Sequence, residues 1–154
     1  MSEAIPAPNL AGWILDHLKR YQATDGADGH LWQPPAAPSL KPVTALLLTT
    51  TGRSSEQQFI MPLFYGESGG SYVIIASKGG APDHPGWYKN LLAHPEVKVQ
   101  ILARKFTAKA RTASGAERQK FWDMMVAIFP PYSDYKSKAE REIPVVVLDP
   151  VAAK

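Results

Sequence analysis

Cysteine is absent from this sequence, which rules out a disulfide framework, a thiol nucleophile and a thiolate metal site together. No apolar run approaches the roughly 18 residues that suggest a membrane span. The first residues lack the basic and apolar regions of a signal peptide, so the cytoplasm is the expected location. Only four histidines occur, His17, His30, His84 and His94, and none has a paired-ligand spacing such as H-E-x-x-H; no metal site is expected. P-loop and G-x-G-x-x-G patterns are missing, which leaves Rossmann-type nicotinamide binding without support. The charge excess is also small. A net +3 is too little for a nucleic-acid footprint, though its sign suits a polyanionic small molecule.

What is present describes one packed unit. At 154 residues, with 45% apolar residues and four Trp, the chain can bury one sizeable core without covalent staples. The expected organisation is a tail and amphipathic helix over 1–22, a single domain over 23–150 and a short tail over 151–154. In the first part, Asn9 is a candidate helix cap, and Leu10, Trp13, Ile14, His17, Leu18 and Tyr21 form an apolar face at helical spacing. Such a face ordinarily covers a core. A second reading is peripheral contact with a membrane surface through residues 10–21, because Trp13 is accompanied by Lys19 and Arg20.

From Val43 the pattern is strand after strand: 43–51, 58–65, 71–77, 97–102, 106–113 and 143–149. The first three are apolar on both faces. Gly66 to Gly70 reads as a hairpin loop, and the short link at Ala103-Arg104 reads as another, so antiparallel pairing follows. Pro62 inside the second strand marks an edge, a bulge or a local break. Two helices interrupt the strands, one from Pro85 to about His94. The other opens on a capping-box pattern, Ser114 to Glu117, and carries Phe121, Trp122, Met125 and Ile128 on one stripe. Phe129-Pro130-Pro131 ends it, and Tyr132 to Tyr135 begins a further helical turn. The expected fold is mostly β with helices (α+β): a six-stranded antiparallel barrel with covering helices. Two motif matches fail on context. Gly66-x-Ser68-x-Gly70 lies between strands, where a hydrolase elbow needs a strand and a helix, and Ser133-x-x-Lys136 lacks the companion motifs of acyl-enzyme families.

Two blocks carry chemistry. Ala76-Ser77-Lys78-Gly79-Gly80-Ala81-Pro82-Asp83-His84-Pro85-Gly86-Trp87 joins a strand to a helix. Its paired glycines free backbone N–H groups to converge on an anion, with Lys78 beside them. Leu46-Leu47-Leu48-Thr49-Thr50-Thr51-Gly52-Arg53-Ser54-Ser55 ends a buried strand in hydroxyls, a Gly and an Arg. Each block alone is also an ordinary turn with a solvated charge. Together they supply N–H, hydroxyl and cationic donors that suit a phosphate or carboxylate.

With Arg141-Glu142-Ile143-Pro144-Val145-Val146-Val147-Leu148, these blocks resemble the deazaflavin-dependent nitroreductase family, reductases that use reduced coenzyme F-420, an 8-hydroxy-5-deazaflavin. The resemblance runs from about His30 to Pro150. It implies a split β-barrel of the FMN-binding, flavin-reductase-like type, and a monomer or homodimer that acts on a small molecule. It also implies hydride transfer to flat electron-poor acceptors: quinones, nitro-aromatics and activated enones such as coumarin-type lactones. By the same resemblance Gly52, Arg53, Ser54, Ser77, Lys78, Gly79, Gly80 and Ala81 bind the coenzyme, and Trp87, Tyr88 and Asn90 line the wall beside them. Ser77, Tyr132 and Tyr135 are the catalytic candidates, since a phenol with a pKa of about 10 can donate a proton at neutral pH. FMN is the alternative cofactor, and a non-catalytic deazaflavin carrier the alternative role.

The chain departs from the family pattern twice. Where members often show Gly-Arg-Lys-Ser-Gly, it reads Gly52-Arg53-Ser54-Ser55-Glu56, and Lys41, Lys89, Arg104 and Lys105 are the candidates to compensate for the missing cation. Where many members place three Tyr spaced by three, it has Phe129, Tyr132 and Tyr135.

Overall fold

The computed structural model describes residues 4–8, 10–33, 41–77, 84–138 and 142–151. In chain order its elements are β1 (Ile5–Pro6), α1 (Gly12–Thr24), β2 (Leu31–Trp32), β3 (Val43–Thr51), β4 (Gln58–Phe64), β5 (Gly66–Ser68) and β6 (Ser71–Ile75). Then come α2 (Gly86–Ala93), β7 (Glu96–Ile101), β8 (Arg104–Thr112), α3 (Gly115–Ile128), α4 (Pro131–Lys138) and β9 (Val145–Pro150). The strands form one mixed sheet in the order β1-β4-β3-β7-β8-β9-β6-β5, with β2 added beside β3. Every pairing is antiparallel except that of β1 with β4.

The architecture is therefore α+β with a mostly antiparallel, open sheet. The described residues hold nine strands where six were expected. The additions are β1, β2 and β5, which at two or three residues are too short to show a period of two. One of them corrects the hairpin: Gly66 to Ser68 is itself a strand, with Gly66 opposite Val73 and Ser68 opposite Ser71. The turn shrinks to Gly69 and Gly70, whose φ values of 59° and 85° are those a two-residue hairpin requires.

The doubly apolar strands are sandwiched. Ile74 and Val146 face an inner cluster with Leu46, Leu48, Val97 and Val99, closed by Trp87, Tyr88 and Leu91 of α2. Val73, Ile75, Val145 and Val147 face the opposite way, onto Phe121, Trp122 and Met125 of α3 and onto Phe129 and Tyr132. Full burial of one such aliphatic side chain contributes about 1.5–3 kcal/mol, so the two-sided strands anchor both helical layers at once. A third, smaller cluster joins Leu18 and Tyr21 of α1 to Leu47 and Ile60. Pro62 sits where β4 is an edge: β1 covers only Phe59 and Ile60, so the missing N–H at Pro62 removes no bond on that side.

Two helix expectations change. In α1 the buried residues are His17, Leu18 and Tyr21, whereas Trp13, in the first turn, is 45% exposed. Asn9 lies outside the described residues, and the helix starts after Ala11 without a side-chain cap. In α3, Ser114 occupies the cap position but makes no capping hydrogen bond. Glu117 is drawn away by Arg111 of β8, which donates to both of its carboxylate oxygens and also to Asp149 Oδ2 at 2.7 Å. A bidentate charged contact outcompetes the weaker return bond of a capping box.

Candidate functional site

The site begins where β3 ends. Thr50 is buried, and its Oγ1 accepts a hydrogen bond from Asn90 Nδ2 at 3.2 Å. The chain then turns at Gly52, whose N–H donates to Gln57 O at 2.8 Å, returning the backbone into β4. A side chain at this turn would be crowded. A Cβ here would stand 2.7 Å from Ser55 Oγ, 3.1 Å from Phe59 Cε2 and 3.2 Å from the Gln57 carbonyl oxygen.

Arg53 leaves this turn and is met from the opposite side by α2. Asn90 Oδ1 accepts from the Arg53 backbone N–H at 3.2 Å and from its Nη1 at 2.9 Å. A neutral amide thus orients the guanidinium and leaves its charge uncancelled. Among the described residues no carboxylate lies within ion-pairing distance of Arg53. Around the pair opens a cavity of about 250 Å³. Thr50, Gly52, Arg53, Ser54, Ser55 and Asn90 give it polar surface; Phe59, Met61, Gly86 and Trp87 give it apolar surface, and Ala7 and Pro8 complete the lining.

This set fits an anionic group joined to a flat ring. The Arg53 cation and the Ser54 and Ser55 hydroxyls answer the charge, and Phe59, Met61 and Trp87 offer a face on which a ring can lie. The structure brings Gly52, Arg53, Ser54, Trp87 and Asn90 together as expected. Tyr88 turns inward instead. It is buried in the inner cluster, with its hydroxyl 2.8 Å from Thr112 Oγ1 and its ring edge-on to His84 at 5.0 Å. Ser77 is buried just beyond β6, where the chain reaches both layers: Ile75, the last residue of β6, joins the outer cluster and Ala76 after it the inner one. Lys78, Gly79, Gly80 and Ala81 lie outside the described residues.

Tyr132 and Tyr135 belong to a different neighbourhood. Their rings are 6.2 Å apart in the aromatic group with Phe129 and Trp122 that covers the outer face of β6 and β9. Neither lines the Arg53 cavity. Burial drives the Tyr132 phenol far above its ordinary range, and burial followed by the Asp134 carboxylate raises that of Tyr135. Both are protonated at neutral pH and can only donate or hold a proton.

Of the compensating cations, Lys89 is next to Asn90 on α2 and stays near the site. Lys41 precedes β3, and Arg104 and Lys105 start β8, opposite Ile101 and Gln100. Lys41 is at the opposite end of β3 from Arg53, whereas Lys105 is level with Leu47 through Gln100, two strands away, with Arg104 beside it; none of the three lines the Arg53 cavity. The lining residues beyond those expected are Ala7, Pro8, Thr50, Ser55, Phe59, Met61 and Gly86. The alternation of Phe59 and Met61 along β4 was a usable signal, since both side chains fall on one face.

The F-420H(2)-dependent quinone reductase family matches residues 13–150. The chain belongs to that family. An F-420H(2)-dependent quinone reductase of Mycobacterium tuberculosis is 38% identical over 135 residues, covering 86% of each chain. A solved F-420-H2 dependent reductase, FDR-A, is 40% identical and superposes with a TM-score of 0.64 over 68% of this chain and 93% of its own. Another solved relative, described as a domain-swapped dimer, is 35% identical with a TM-score of 0.67, covering 88% of this chain and 93% of its own.

Proposed function

We propose that this chain reduces quinones with coenzyme F-420H2, and that its acceptor range extends to nitro-aromatics and activated enones, which share a flat electron-poor core. Its open sheet is read as a split barrel of flavin-reductase type over residues 23–150, with Ala7 and Pro8 of the N-terminal part added to the lining of its site. The observation that carries the reading is Arg53 held by a neutral Asn90 at the Gly52 turn, beside the apolar surface of Phe59, Met61 and Trp87.

When bound, the coenzyme supplies a hydride from its deazaflavin ring. The chain's own residues do the rest. Arg53, Ser54 and the Gly52 turn hold the anionic end, joined by Ser77 and the Lys78-Gly79-Gly80-Ala81 segment. Asn90 fixes Arg53, while Trp87 and Phe59 keep water from the ring. Ser77, Tyr132 and Tyr135 are assigned to stabilising or protonating the oxygen that gains charge on the acceptor.

Titration of the purified protein with coenzyme F-420, followed by fluorescence, tests the cofactor assignment: saturation at micromolar levels is expected, and FMN is not expected to compete. FMN binding in place of F-420 would move the chain to flavin chemistry. Menadione added to protein plus reduced coenzyme separates an enzyme from a carrier, because a carrier gives no rate above the uncatalysed one.

The exposed Trp13, with exposed Lys19 and the Asp16-paired Arg20 further along α1, favours a second arrangement in which a cytoplasmic protein touches the membrane that dissolves its quinone. Co-sedimentation with vesicles containing anionic lipid is expected for the parent chain and reduced for Trp13→Ser. Equal sedimentation of both would remove α1 from that role. Monomer and homodimer both suit the site, and sedimentation velocity distinguishes them.

A further inference from the structure

We propose that the N-terminal segment Ile5 to Pro8 is a retaining strap for the bound coenzyme, a positioning element that must part from β4 when the coenzyme leaves. The inference rests on the Arg53 site being the coenzyme site.

The segment reads Ile5-Pro6-Ala7-Pro8, and its alternating prolines leave Ile5 and Ala7 as its N–H donors. It lies parallel to β4, with Ile5 opposite Phe59 and Pro6 opposite Ile60, and Ala7 N donates to Ile60 O at 3.0 Å. Two residues of pairing are all the sheet gives it. Its apolar anchoring is equally slight: Ile5 is 45% exposed, and Ala4 is the residue that packs against the Leu18, Tyr21, Leu47 and Ile60 cluster.

This weakly held segment nevertheless forms a wall of the cavity. Ala7 and Pro8 line it together with Arg53, Ser54, Phe59, Met61 and Trp87. They are the described lining residues that come from outside the β3–β4 turn region and α2. Its partner residue on β4, Phe59, itself lines the cavity, so releasing the strap uncovers a residue that faces the ligand. Few hydrogen bonds and little buried apolar area place the segment at the low-stability end of local opening, where access elements are found. The prolines lower the entropy lost on redocking, since they pre-set the extended backbone.

Stopped-flow displacement of coenzyme F-420 from the parent chain, Ala7→Pro and Arg53→Ala tests the strap. Ala7→Pro deletes the donor to Ile60 O without touching the Arg53–Asn90 contacts. It is expected to raise the dissociation rate about threefold to tenfold, the factor that one typical backbone hydrogen bond supplies. Amide hydrogen exchange at Ala7 of the parent chain is expected to slow when coenzyme saturates the protein, and this readout needs no variant. An unchanged dissociation rate in Ala7→Pro and an unprotected Ala7 amide, with Arg53→Ala still weakening binding, overturns the strap and leaves the site standing. Equal binding by the parent chain and Arg53→Ala overturns the site itself.

Discussion

Asn90 and Arg53 are 37 residues apart in the chain, yet a single amide oxygen takes both the backbone N–H and the guanidinium of Arg53, at 3.2 and 2.9 Å. The same amide donates to Thr50 Oγ1, so one buried side chain pins the end of β3, the turn after it and the cation. Because the partner is neutral, the charge of Arg53 remains available to an anion. Asn90→Asp keeps an acceptor but neutralises that charge. It is expected to fold and to raise the Kd for the coenzyme about tenfold to a hundredfold, the value of one charge-assisted contact. Fluorescence titration and a thermal melt on the same sample check both halves.

Gly52→Ala tests the turn beside it. The added methyl would meet Ser55 Oγ at 2.7 Å and the Gln57 carbonyl oxygen at 3.2 Å, and the carbonyl is held by the Gly52 N–H. A loss of about 1–3 kcal/mol in urea-denaturation stability is expected. Adding Ser55→Gly is expected to recover only part of it, since Phe59 and Gln57 stay close.

How far the sequence revealed this arrangement depended on the length of each signal. Val43 to Thr51 is a strand to the residue, because nine consecutive apolar or β-branched positions leave no competing reading. The short β1, β2 and β5 carried no such pattern. Gly52, Arg53, Trp87 and Asn90 were legible as site residues from their blocks and the family resemblance. The bond between Asn90 and Arg53 was not, since it depends on where α2 docks. Trp13 was misplaced because helical spacing defines a stripe without saying how far along it the sheet extends. The Ser114 capping box failed for a tertiary reason, the arrival of Arg111 from a neighbouring strand.

Acid pH is expected to weaken the fold through two histidines. His17 is buried, stacked on Trp32 at 3.8 Å, with Nε2 against Gly29 O at 2.8 Å; burial, partly opposed by that hydrogen bond, lowers its pKa. His30 is lowered by burial as well and lies 2.8 Å from the Tyr65 hydroxyl. The unfolded chain, with histidine pKa values of about 6.5, therefore binds more protons than the folded one just below that pH. Stability is complete above about pH 6.5 and falls as the pH drops toward the folded values. Urea midpoints between pH 7.5 and 5 are expected to decline in the parent chain. His17→Gln, which keeps a donor for Gly29 O, is expected to flatten that decline.

The two phenols separate binding from turnover. Tyr132 and Tyr135 lie outside the Arg53 cavity, in the aromatic layer over β6 and β9, so neither Tyr132→Phe nor Tyr135→Phe is expected to change the coenzyme Kd by more than about twofold. Their effects on menadione reduction are expected to differ. Tyr132 is 5% exposed and Tyr135 is half-buried, which makes Tyr135 the phenol better placed to exchange protons with solvent and an acceptor. A drop in kcat of about tenfold or more for Tyr135→Phe, within the range for a positioned general acid, with a smaller drop for Tyr132→Phe, is the expected outcome. Raised pKa values at both positions mean that this activity should persist from neutral to mildly alkaline pH, because neither phenol loses its proton there. Unchanged kcat in both variants would return protonation of the reduced acceptor to Ser77 or to water.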